Sequence, residues 1–98
     1  MIGVNVGFDY EGAFDRARVT GVAENARALF EGMPGLRYKF FTYDEAAGRA
    51  TNFYVWDDRA AALEFFSDEL RERVTGLYGV TPTIEFVEIA QIVDNTGE

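Results

Sequence analysis

Ile2, Val4, Val6 and Phe8 alternate with Gly3, Asn5 and Gly7, the period-two pattern of a strand with one bulky face and one nearly bare face. A polar, glycine-containing connector over 9–12 follows. Val19, Val22, Ala23, Ala26, Leu29, Phe30 and Met33 then recur at three- and four-residue steps, predicting an amphipathic helix. That helix must end near Gly32, because Pro34 disfavours helical geometry in the residue before it and Pro34-Gly35 is turn chemistry. Residues 36–43 and 50–56 are rich in aromatic residues and are separated by the polar turn 44–48, which predicts an antiparallel hairpin. Asp57 and Asp58 are N-cap candidates for a second helix with the stripe Ala62, Leu63, Phe66, Leu70, Val74 and Leu77, closed by Gly76 or Gly79. Pro82 precedes a last strand with Ile84, Phe86, Ala90 and Ile92 on one face and Val87, Ile89 and Val93 on the other, followed by a polar tail.

Strand, helix, hairpin, helix, strand is the split βαβ order of an α+β, ferredoxin-like βαββαβ domain. Right-handed crossovers put both helices on one face of a four-stranded antiparallel sheet. At 98 residues, the chain is expected to be a single domain spanning 1–98. The helix-free face is still greasy: Leu36, Tyr38 and Phe40 lie on the opposite side of their strand from Phe41 and Tyr43, and Phe53 and Val55 oppose Tyr54 and Trp56. Leaving roughly six such side chains in water forgoes on the order of 10 kcal/mol, comparable with the whole stability of a small domain. A second copy is the simplest cover, so the pattern predicts a homodimer whose two sheets face each other, a dimeric α/β barrel. The competing reading is that some of these aromatic rings are exposed edge residues.

Charge narrows the choice of partner. Seventeen acidic against nine basic residues give a net charge of −8, which disfavours nucleic acid and anionic lipid. The start Met1-Ile2-Gly3-Val4 has no basic leader, and no apolar run approaches the ~18 residues of a membrane span, so a cytoplasmic, non-membrane protein is expected. Cysteine and histidine are both absent, which removes thiolate chemistry, the commonest general base and the usual nitrogen ligand of transition metals and haem. No nucleotide-binding glycine loop precedes a helix, so no cofactor is expected.

The most suggestive cluster is Asn52, Tyr54 and Trp56, whose amide, phenol and indole project from one face of the third strand. An amide can hydrogen-bond an oxyanion or a bound oxygen species, and the two rings offer flat surfaces with donors at their rims. A packed aromatic strand with a satisfied amide is the competing reading. Asn5, between two glycines, joins this cluster if the bare face of the first strand lines the same cavity beneath a helix; otherwise the helix packs directly onto the glycines. Arg37 and Lys39 alternate with Tyr38 and Phe40, and either cation could neutralise an enolate or phenolate, although solvated edge charges are the commoner outcome. Asn52 and Trp56 are the candidate catalytic residues; Asn5, Tyr54, Arg37 and Tyr38 are the candidate substrate-binding residues. Glu85 and Glu88 point to opposite faces and cannot form an acid–base pair.

Over nearly its whole length the chain resembles the YdhR-type family of small proteins assigned as mono-oxygenases, relatives of the antibiotic-biosynthesis mono-oxygenases with their dimeric α/β barrel. The similarity rests on the apolar first strand ending at Phe8-Asp9, on Met33-Pro34-Gly35-Leu36 leading into an aromatic strand with Lys39, and on Thr51-Asn52-Phe53-Tyr54-Val55-Trp56-Asp57-Asp58 before an alanine-rich helix. The close, Ala90-Gln91-Ile92-Val93-Asp94-Asn95, is also similar. The resemblance implies a cofactor-free mono-oxygenase of a small aromatic or polyketide-like substrate, with Asn52 stabilising the oxyanion or reduced oxygen and Trp56 holding the ring. Haem-degrading relatives use a histidine on the second helix, which this chain lacks, so a base would have to be a tyrosine, a lysine or the substrate's own acidity. A non-catalytic dimer that binds a hydrophobic small molecule, and an isomerase or lyase of a cyclic enol, are the alternatives.

Overall fold

In the computed structural model, residues 1–10 and 13–96 are described. Part of the connector expected over 9–12 therefore lies outside them. The elements are β1 (Ile2–Asp9), α1 (Arg16–Phe30), β2 (Leu36–Asp44), β3 (Arg49–Trp56), α2 (Arg59–Phe65), α3 (Asp68–Tyr78) and β4 (Thr83–Glu88). The strands form one four-stranded sheet in the order β2-β3-β1-β4, with every neighbouring pair antiparallel. This is the α+β, ferredoxin-like arrangement expected from the element order.

Each helix begins where a side chain can satisfy an orphan backbone donor. The Asp15 carboxylate accepts from Arg18 N at 3.2 Å, that of Asp58 from Ala61 N at 2.8 Å, and the Ser67 hydroxyl from Leu70 N at 3.2 Å. The last cap divides the expected second helix in two. Ser67, followed by Asp68 and Glu69 in the first turn of α3, restarts the helix after Phe66 leaves helical geometry at φ −87°, ψ 68°. The break lets Phe66 become buried and Phe65 half-buried, and leaves Leu63 and Leu77 of the expected stripe exposed. Of the two glycines considered as terminators, Gly79 closes α3: it takes φ 85°, and its N–H donates to Thr75 O at 2.8 Å.

Register decides what faces the helices. Ile2, Val4, Val6 and Phe8 pair with Trp56, Tyr54, Asn52 and Ala50, and residues directly opposite share a face. All eight are buried, and with Val19, Ala62, Phe66 and Tyr78 they make the core. A register shift at Arg37 places Leu36 opposite Trp56, on the helix side, while Tyr38 pairs with Val55 on the other face. Leu36 therefore does not share the open face with Tyr38 and Phe40, as simple alternation implied.

The glycines of β1 also point away from the helices. Gly3 pairs with Val55 and Val87, and a Cβ there would meet the Phe53 ring at 2.8 Å, so an aromatic side chain of β3 fills the space the glycine leaves. β4 stops at Glu88, earlier than the alternation to Val93 suggested. After Ile89 N donates to Met1 O at 3.2 Å, the segment 89–96 borders a groove of about 560 Å³ with Tyr38, Phe40, Phe53 and Val55 on the open face. Tyr38, Phe40 and Val87 nevertheless remain exposed there.

Candidate functional site

The site is built on the inner face of β3. Asn52 is the one buried polar residue of the described core, 4% exposed, and its Nδ2 donates to Tyr78 Oη at 3.0 Å. Tyr78 is fixed in turn: its ring lies 3.9 Å from that of Phe8 at an interplanar angle of 5°, and Gly79 caps its helix directly behind it. Primary amides carry two N–H bonds, so the bond to Tyr78 leaves Asn52 a second donor. The amide borders a cavity of about 200 Å³ with Val19, Thr20, Ala23 and Phe41.

Two residues on, Tyr54 is walled by aromatic rings, with Phe66 edge-on at 4.9 Å and Trp56 stacked at 6.2 Å. Burial, reinforced by the nearby Tyr78, holds the Tyr54 phenol well above its ordinary value. Burial also raises Tyr78, with the Asn52 hydrogen bond opposing. Both hydroxyls are neutral donors throughout the physiological range. Trp56 ends the strand 2% exposed, with Phe65 at 5.1 Å, and its Nε1–H is buried without an acceptor among the described residues. An orphan buried donor costs about 1–3 kcal/mol. The indole borders a cavity of about 500 Å³ between the sheet and α2–α3, floored by Met33, Phe65 and Leu70 and rimmed by Glu64, Glu69 and Arg73.

Of the residues singled out from sequence, Asn52, Tyr54 and Trp56 lie on one face of β3, with Asn52 and Trp56 bordering two different cavities and Tyr54 packed between them. Asn5 does not join them. It pairs with Phe53 and Glu85, and its side chain lies on the sheet face opposite Asn52, because its larger neighbours Val4 and Val6 take the core side. Arg37 sits at the register shift, and its Nε contacts Asp57 Oδ1 at 2.6 Å, an exposed ion pair. Tyr38 is on the open face, its ring stacked 6.2 Å from Phe40. Arg37 and Tyr38 border a further cavity, of about 310 Å³, between the end of α1 and β2, and Tyr38 also lines the open-face groove.

Lys39, weighed as a solvated edge charge, turns inward instead. It pairs with Tyr54, and its Nζ lies 3.4 Å from the centre of the Phe30 ring, 4.2 Å from Phe41 and 4.3 Å from Tyr54. Desolvation lowers its pKa from 10.5 to about 7. Tyr78, unlike Lys39, has no place in the sequence reading. Both left a signal: Lys39 is the only lysine of the chain and shares its strand phase with Phe41, and Tyr78 continues the i, i+4 series from Leu70 and Val74. Among the described residues, no group of three or more acidic side chains is placed to hold a metal ion.

No protein-family model matches the sequence, and no curated protein matches it significantly. Solved structures do match in shape. A monooxygenase from the gene ActVA-Orf6 of Streptomyces coelicolor, in complex with nanaomycin D, superposes with a TM-score of 0.68 at 19% identity, over 97% of this chain and 92% of that one. SnoaB, a cofactor-independent oxygenase from Streptomyces nogalater, gives 0.68 at 17% identity over 94% and 95%. A Deinococcus radiodurans protein assigned as an antibiotic biosynthesis monooxygenase gives 0.64 at 10% identity over 99% and 100%. The chain has the antibiotic biosynthesis monooxygenase fold. At these identities the likeness is one of architecture, and it spans the fold from β1 to the C-terminal segment. Within this monooxygenase fold, the inner face of β3 carries the amide, phenol and indole described above.

Proposed function

We propose that this protein is a cofactor-free mono-oxygenase of a small aromatic or polyketide-like hydroxy compound, working as a homodimer. The observation that carries the proposal is a pair of underused N–H donors, the second amide hydrogen of Asn52 and the orphan Nε1–H of Trp56, on either side of the Tyr54 ring. Donors held in a low-dielectric interior stabilise negative charge as it develops on oxygen, with no reorganisation at the moment of reaction. The rings of Trp56 and Phe65 line the cavity of about 500 Å³ and offer an apolar surface for the substrate. Two proteins of the same fold being oxygenases, one of them holding nanaomycin D, supports the same reading.

The reaction closes without a cofactor. For an activated methylene beside an aromatic ketone, the methylene carbon and one molecule of dioxygen give a carbonyl and one molecule of water: the carbon loses both hydrogens and four electrons, one oxygen atom enters the product and the other leaves as water. The substrate anion is the reductant. In this scheme Asn52 hydrogen-bonds the reduced oxygen, Trp56 orients the ring, and the neutral Tyr54 phenol adds a donor. The homodimer reading rests on the open face, where Phe40 is 51% exposed beside Tyr38 and Val87.

Oxygen uptake with a panel of hydroquinones and anthrones tests the assignment. Asn52→Ala and Trp56→Phe should each lower kcat by about 100- to 1000-fold, the range for losing a single oxyanion donor. Tight binding of the panel with no uptake above the uncatalysed rate would instead favour a non-catalytic binding protein. Proton exchange without uptake would favour an isomerase or lyase.

A further inference from the structure

Lys39 is the single lysine of the chain, and it has no part in the scheme above. β2–β3 pairing sets it opposite Tyr54, the middle residue of the Asn52–Trp56 face. Its Nζ is enclosed by three ring faces, with Phe30 above it and Phe41 and Tyr54 alongside. It has no hydrogen bond or ion pair among the described residues, an unusual state for an amine turned away from solvent. Its polar surroundings explain why. Its own strand brings Arg37, drawn outward by Asp57 at 2.6 Å, and Tyr38, on the other face. From α1 and its C-cap come Arg27 and Glu31, paired with each other at 3.4 Å, and β3 presents only the neutral Tyr54 phenol. No free carboxylate is left to hold the ammonium form. The amine borders the cavity of about 310 Å³ under the end of α1, and Phe41 lines both that space and the cavity beside Asn52.

We propose that Lys39 is the proton acceptor of the site, taking the acidic hydroxyl proton of a phenol or enol that enters between α1 and β2, and then pairing as ammonium with the oxyanion it has made. The substrate O–H bond breaks, an N–H bond forms on Nζ, and the electron pair stays on the substrate oxygen; no oxidant is needed for this step. It supplies the anion that the oxygenation requires, and so rests on that reading. Burial brings the amine to a pKa of about 7, so the free base is present at neutral pH. Tyr54 and Tyr78, both raised above the ordinary phenol range, cannot serve as bases there. The ring faces of Phe30, Phe41 and Tyr54 stabilise the ammonium once it forms.

The test uses alizarin, a dihydroxyanthraquinone whose visible absorption moves to longer wavelength on ionisation, titrated under nitrogen so that no oxygenation intervenes. Bound to the wild-type protein, the dye should ionise at least one pH unit below the free dye. Lys39→Met, which keeps an apolar chain in the aromatic cage, should abolish that shift. Reductive methylation of the wild-type protein with labelled formaldehyde supplies a measurement that needs no variant, because Lys39 and the terminal amine are the only amines labelled. The dimethylated Lys39 resonance should titrate near neutrality, with its midpoint raised by one unit or more when alizarin binds. A midpoint at the ordinary lysine value, one that alizarin leaves unchanged, or equal dye ionisation in the wild type and Lys39→Met would each overturn the proposal. Absence of oxygen uptake in air with the dye shift intact would remove the oxygenase reading and leave Lys39 as the base of a phenol- or enol-binding site.

Discussion

At the residue scale, the site depends on polar atoms held in an apolar interior. Tyr78 positions Asn52, so Tyr78→Phe leaves a buried amide hydrogen without its acceptor and should cost about 1–3 kcal/mol, read as a lower denaturation midpoint. Lys39 should show the opposite sign. Its folded pKa of about 7 lies below the unfolded 10.5, so on lowering the pH the unfolded chain takes up the proton first. Stability attributable to Lys39 is therefore lost between pH 10.5 and about 7 and is level below that. Lys39→Met should stabilise the protein at pH 7 by on the order of 2–4 kcal/mol, and the gain should shrink towards pH 10.5; urea denaturation at the two pH values checks it. Alternation along β3 made Asn52, Tyr54 and Trp56 legible as one face, because that pattern is a property of a single strand. It could not align β1 with β3, and so left open whether Asn5 shared the cavity. The pairing of Val6 with Asn52 excludes it.

At the element scale, the helices show what a hydrophobic stripe leaves out. Ala62, Phe66, Leu70 and Val74 fit one continuous helix by spacing, yet the Ser67 hydroxyl and the acidic residues after it start a new one. Local capping prevails because the break lets both Phe65 and Phe66 approach the rings of Tyr54 and Trp56. The end of α3 is held by Gly79. A Cβ at its φ of 85° is strained, and it would stand 3.2 Å from Arg18 Nη2, whose guanidinium bonds Leu77 O. Gly79→Ala should cost about 1–2 kcal/mol and loosen Tyr78, lowering kcat as well as the melting temperature. The irregularity at Arg37 was equally hidden, since one inserted residue in β2 moves Leu36 to the core side without changing its neighbours in sequence.

At the scale of the whole molecule, the greasy second face of the sheet was legible in advance, and the segment that runs beside it was not. Residues 89–96 read as a continuing strand and a polar tail, yet they border the groove over Phe53 and Val55. Phe40, Tyr38 and Val87 remain for a partner, each offering up to about 1.5–3 kcal/mol on full burial. Phe40→Asp should therefore convert a dimer into a monomer, with the mass halved by light scattering at micromolar concentration. A monomeric parent would refute the shared interior.

The central claim is that the inner face of β3 performs an oxygenation. An anthrone incubated with the protein under isotopically labelled dioxygen tests it directly, through the mass of the quinone formed. Expected is one labelled oxygen atom per product molecule, formed faster than without protein, and reduced to the background rate by Asn52→Ala. Product at the background rate with the parent protein, or a rate that Asn52→Ala leaves unchanged, would contradict it.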